Sequence, residues 1–163
     1  MPAPNPDDLL VLQNELVDML KTALASVRPA VHVLTPSDLF GETEQDGKGT
    51  TKVQPVPAVN VVYMGHKPGT DPGQQRSDGR GLVLQQLFAA EVVTRNVRTL
   101  KTGAAARNDA GPLAMRVMLA LMGARLPSAA SLVQLRPGPG PVFKGGTQYL
   151  PLMFQVSLAI VKP

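Results

Sequence analysis

From Leu82 to Arg95 the chain alternates. One parity carries Leu82, Leu84, Gln86, Phe88, Ala90 and Val92, and the other carries Gln85, Glu91 and Arg95. Successive side chains of a strand point to opposite faces, so this pattern describes a strand that covers a core on one side. The alternation returns from Thr147 to Val161, with Leu150, Leu152, Phe154, Val156, Leu158 and Ile160 inward and Gln155 and Ser157 outward. Pro151 places an edge or a bulge near the start of this second run, because proline cannot donate to a ladder. Two long one-faced strands predict a mainly antiparallel sheet whose apolar face must be covered.

Two stretches can supply the cover. Asn5-Pro6-Asp7-Asp8 reads as a helix start, with a capping Asn, a proline whose missing N–H costs nothing there, and two carboxylates at the positive end of the dipole. Leu9, Leu12, Leu16, Leu20 and Leu24 then recur at helical spacing opposite Gln13, Asp18, Lys21 and Thr22, and Pro29 ends the run. The second stretch, Pro112 to Leu126, holds Leu113, Val117 and Leu121 on one stripe and Ala114, Met118, Leu119 and Met122 beside it. Arg116 and Arg125 are its only charges, which predicts a mostly buried helix. Thr102 to Ala110 reads as an alanine-rich helical lead, with Gly111-Pro112 forcing a kink or a fresh start. Met115, Met118 and Met122 are expected in the core rather than on an adaptable binding surface.

Shorter strands are expected over Ala30–Leu34, Pro57–Met64 and Ser131–Leu135, the middle one with Val59, Val61 and Tyr63 on one face and Asn60 on the other. Pro137-Gly138-Pro139-Gly140-Pro141 is a rigid turn without helix or ladder capacity. Gly65 to Gly81 contains five glycines, two prolines and five charges, too little apolar surface to fold alone. Since it joins two strands, it is either a hairpin arm that orders on a neighbouring subunit or a plain loop. The fold class is α+β: a mainly antiparallel sheet with helices on one face and a long glycine-rich loop or hairpin arm, in a single domain spanning 1–163 with 65–81 as the arm.

Chemistry is hard to find. No cysteine is present, which excludes disulfides and thiolate sites and fits a reducing compartment. The N-terminus is acidic and proline-rich, unlike a signal peptide, and no apolar run is long enough to span a membrane. Gly41 to Gly49 resembles a phosphate loop but has the wrong glycine spacing, a glycine where the hydroxyl belongs, and three carboxylates. His32 and His66 have no second ligand at i+3 or i+4, and no serine sits in a nucleophile elbow. Asp7, Asp8, Glu15 and Asp18 fit a helix cap and a polar face. No catalytic residue, metal ligand or cofactor is expected, and the chain is not expected to be an enzyme.

The charge is divided. Residues 1–81 hold seven Lys and Arg against ten Asp and Glu, a net of −3, whereas residues 82–163 hold nine against two, a net of +7. Two readings follow. One is a solvated basic face, with basic residues scattered singly and without interleaved aromatics. The other is that acidic and basic surfaces of identical subunits meet head to tail, which generates rings.

The order of these elements resembles the tail terminator proteins of long-tailed bacteriophages, of the Mu-like and related siphophage type. The resemblance rests on the Leu9–Leu24 helix and on Pro57-Ala58-Val59-Asn60-Val61-Val62-Tyr63 before the glycine-rich arm. It also rests on Val93-Thr94-Arg95-Asn96 at the end of the long strand and on Ala110-Gly111-Pro112-Leu113 leading to Leu119–Leu121. Gly145-Gly146-Thr147-Gln148-Tyr149-Leu150-Pro151-Leu152 completes it. Gln85-Gln86 stand where an aromatic is expected.

The resemblance implies a structural virion protein: a homo-oligomeric ring, expected to be a hexamer, that binds the end of the tail tube, stops its polymerisation and joins the tail to the neck. Its implied partners are the tail tube protein and a neck or head–tail connector protein. Phage DNA would pass through the ring without specific recognition, and no membrane is involved. The implied place is the virion tail, assembled in the bacterial cytoplasm. In this picture Lys67, Arg76, Asp78 and Arg80 lie at a subunit or tube interface, and Arg95, Arg98 and Lys101 make salt-sensitive contacts with a neighbour's acidic residues. The rival readings are a head–tail connector and, from another class, a basic nucleic-acid-binding domain.

Overall fold

The computed structural model describes residues 6–40, 53–69, 79–95 and 104–162. In chain order its elements are α1 (Val11–Leu24), β1 (His32–Leu34), α2 (Pro36–Phe40), β2 (Ala58–Pro68), β3 (Gly81–Arg95), α3 (Ala104–Leu121), β4 (Gln134–Arg136), β5 (Val142–Lys144) and β6 (Thr147–Val161). One sheet has the order β1-β2-β3-β6-β4, with β5 also paired to β6. Among the described residues only β1 and β2 run parallel; the other pairings are antiparallel. The architecture is α+β.

The two alternating runs are the sheet's centre. β3 and β6 pair without a register break from Gly81↔Val161 to Arg95↔Thr147, so their apolar parities fall on one face. Phe88 lies directly opposite Phe154, and both are 1% exposed. Pro151 causes no bulge. On its other side β5 pairs with residues 147–149 and β4 with 153–155, so the proline stands where neither short strand needs a donor.

α1 packs on β1 and β2, α3 packs on β3 and β6, and the helices touch each other. Leu12, Leu16, Leu20 and Leu24 of α1 join Leu113, Val117 and Leu121 of α3 over Val59, Val61, Phe88, Val92, Phe154 and Val156. Each such side chain contributes about 1.5–3 kcal/mol on burial.

Several boundaries differ from expectation. The first helix starts at Val11, after a turn that Asp8 makes: its carboxylate accepts the Leu10 N–H at 2.8 Å. Asn5 lies outside the described residues. Gln13, expected on the polar face, is 7% exposed and donates its amide to the Val61 carbonyl at 2.8 Å. α3 runs through Pro112 as one helix and stops at Leu121, where Gly123 takes a positive φ of 72° and its N–H donates to the Val133 carbonyl. Helix α2 and strand β5 were not expected. The segment 41–52, including the failed phosphate-loop pattern, lies outside the described residues.

α3 is also less buried than its composition predicts. Met115, Leu119 and Met122 are 53%, 65% and 52% exposed. A helix lying on a sheet and against one neighbour buries only one side, here Ala110, Leu113, Ala114, Val117 and Leu121. The apolar residues beyond that stripe are left outside.

Candidate subunit-contact surface

The sheet has two ends, and the charged candidates divide between them. At one end β2 runs on to Pro68, four residues past the expected stop, after a bulge at Tyr63/Gly65 that Gly65 permits with φ 110°. Lys67 pairs in register with Gln85, the Gly69 N–H donates to the Val83 carbonyl, and the Lys162 N–H donates to the Arg80 carbonyl. Lys67 and Arg80 are exposed on these two strand ends. The two strand ends that flank residues 70–78 are thus held by a continued ladder, while Arg76 and Asp78 lie outside the described residues. Next to the bulge the Tyr63 hydroxyl hydrogen-bonds His66 Nδ1, and the rings stack. Burial pushes the Tyr63 hydroxyl pKa up from its ordinary value.

Arg95 lies at the opposite end of β3. Fourteen residues of strand place it roughly 45 Å from Gly81. Around it is a cleft of about 620 Å³, walled by the loop after α1, the Val56-Pro57 segment, Thr94 and the middle of α3. Val27, Pro29, Val31, Pro57 and Leu113 give it apolar walls, and Arg28, Arg95 and Arg116 bring three guanidinium groups. The Arg28 side chain is held in place by donating to the Ala25 and Val27 carbonyls at 2.9 and 2.8 Å. Among the described residues Asp109 is the one carboxylate on its lining. Arg98 and Lys101, expected beside Arg95, lie outside the described residues.

The sequence pointed to Arg95 but missed Arg28 and Arg116, which are far away along the chain. No local pattern could have found them, since the cleft arises where the ends of α1 and β3 meet the middle of α3. The face of the sheet away from the helices is partly covered. There Asn60 bonds Gln54 at 2.9 Å and Glu91 at 3.3 Å, and Gly138 lies against Met153. A shallower groove of about 510 Å³ runs between α1 and α3 beside Met19, Ala120 and Leu126.

Among the described residues no cluster of three or more His, Asp or Glu side chains could hold a metal ion. Nor, among them, is any helix long and apolar enough to cross a membrane. The arrangement offers shape, charge and apolar surface, which is what a binding protein needs.

Comparison with known proteins points the same way. The family model described as phage tail terminator protein matches residues 21–162. Among solved structures, a chain from a virion of a native gene transfer agent particle shares the fold. The alignment covers 91% of this chain and 94% of that one, at 16% identity and a TM-score of 0.50. No curated protein matches the sequence.

Proposed function

Because the chain belongs to the phage tail terminator family and is a structural component of a virion tail, we propose that it forms a ring, a hexamer, on the last ring of the tail tube. There it stops tube polymerisation and offers the opposite surface to the neck. The observation that carries this reading is the family match, which runs from the last turn of α1 to just past the end of β6.

The architecture supports it. β3 and β6 make a rigid platform, and the charged and apolar surface is gathered at its two ends. Heterologous contacts that use different patches on each subunit close into rings when the rotation allows. Residues 1–163 act as one domain, and the arm 65–81 reaches a neighbouring subunit or the tube with Lys67, Arg76, Asp78 and Arg80. Arg95, Arg98 and Lys101 meet a neighbour's acidic residues. The DNA passes through the opening without being read.

The test is reconstitution with the cognate tube protein. Adding the purified chain should cap tubes and hold their length constant as more tube protein is supplied. Tubes that keep growing in its presence, or virions lacking it whose tails have normal length and carry heads, would refute the proposal.

A further inference from the structure

The arginine-lined cleft has a counterpart at the other end of the same molecule. Asp7 and Asp8 are exposed, and beside them Leu9 and Leu10 are 43% and 37% exposed. This short segment precedes α1, whereas the cleft follows it, and fourteen helical residues separate the two by about 20 Å. The sheet gives the same result. Gln86 donates to the Leu9 carbonyl at 2.9 Å, while Arg95 lies nine residues further along β3, roughly 30 Å away. The two features therefore cannot meet within one copy.

They fit each other in kind. The segment offers two carboxylates followed by two leucine side chains. The cleft offers apolar walls rimmed by Arg28, Arg95 and Arg116, and Arg95 and Arg116 form no ion pair among the described residues. The segment is also already shaped, because Asp8 accepts the Leu10 N–H and Gln86 holds Leu9. Little ordering cost remains for binding. We infer that Asp7–Leu10 of one copy docks in the Arg28–Arg95–Arg116 cleft of the next, a head-to-tail contact. The inference rests on the ring reading above and names its contact.

Two charge-altered chains test it. R95E/R116E makes the cleft acidic, and D7R/L9R makes the segment basic while leaving Asp8 in its turn. Each alone should stay monomeric by native mass spectrometry at concentrations where the unaltered chain assembles, with far-UV circular dichroism unchanged. Mixed in equal amounts they should assemble, since each acidic segment then faces a basic cleft and each basic segment an acidic one. Assembly of either variant alone, or a mixture that stays monomeric, overturns the docking and leaves the ring reading standing. If the unaltered chain itself stays monomeric, the ring reading fails in solution. A labelled peptide of residues 2–11 then decides the docking: binding at least tenfold weaker to R95E/R116E supports it, and equal or absent binding to both overturns it.

Discussion

The Glu15 carboxylate accepts both the backbone N–H of Ser128, at 3.2 Å, and its hydroxyl, at 2.6 Å, across 113 residues of sequence. This fastens α1 to the chain leaving α3, where no strand pairing is available to do so. Hydrogen bonds to a charged acceptor contribute about 1.5–3 kcal/mol net. Glu15→Ala should therefore lower unfolding stability by that amount, and Ser128→Ala by less, since the N–H contact survives. Urea unfolding of both variants measures this. Equal stability to the unaltered chain would mean that the clamp is solvated and idle.

Gln86 has a more divided role. It is fully buried, its amide holds the Leu9 carbonyl, and its Oε1 has no partner among the described residues. An orphaned buried acceptor costs about 1–3 kcal/mol. Gln86→Met removes that cost along with one hydrogen bond, so its net effect should stay within about 1 kcal/mol. Gln86→Ala opens a cavity as well and should be clearly less stable. The Met variant should also loosen Leu9 and Leu10, visible as faster amide exchange at the start of α1.

Gly138 and Met153 should be coupled. A Cβ at Gly138 would come within 2.5 Å of Met153 Cγ, well inside contact distance. Gly138→Ala should destabilise by about 1–3 kcal/mol through overpacking. Combined with Met153→Ala, which empties that space, the penalty should shrink, giving a coupling of about 1 kcal/mol in a double-mutant cycle. Strict additivity would show that the glycine–proline segment simply swings away.

Tyr63 gives a pH dependence with a definite sign. Burial keeps its hydroxyl protonated to higher pH in the folded chain than in the unfolded one, whose value is near 10.0. Its contribution is intact below that value and is lost as pH rises through the raised one. Stability should thus fall between pH 9 and the most alkaline pH the fold survives, and fall less in Tyr63→Phe. Parallel urea midpoints for the two chains isolate the effect, because other alkaline titrations are common to both.

How much of this was legible depends on whether the signal is local. The β3 and β6 alternations specify face and length together, so their parities and nearly all their bounds follow from the sequence. β5 was hidden because three residues, Val142–Lys144, cannot show a period, and only the Gly145-Gly146 turn marks it. Gln13 was misplaced because a polar residue at a core position looks like a polar face until Val61 supplies its partner. The cleft was not readable at all: Arg28, Arg95 and Arg116 are brought together by packing. Arg76, Asp78, Arg98 and Lys101 lie outside the described residues, so the structure bears on only part of the predicted interface.

The exposed flank of α3 offers the sharpest contrast within one element. Composition alone says that every apolar residue from Leu113 to Met122 should matter, whereas the structure divides them by face. Leu121 is 1% exposed and sits in the core, so Leu121→Ala should cost about 2–5 kcal/mol. Two positions away Leu119 is 65% exposed, and Leu119→Lys should stay within about 0.5 kcal/mol. For a chain of this size 1 kcal/mol moves the melting midpoint by roughly 2–4 °C, so thermal unfolding separates the two cases easily. If Leu119→Lys nevertheless melts as early as Leu121→Ala, another part of the protein must cover this flank. If it melts normally but fails to cap tail tubes, Met115, Leu119 and Met122 belong to the assembled interface and not to the fold.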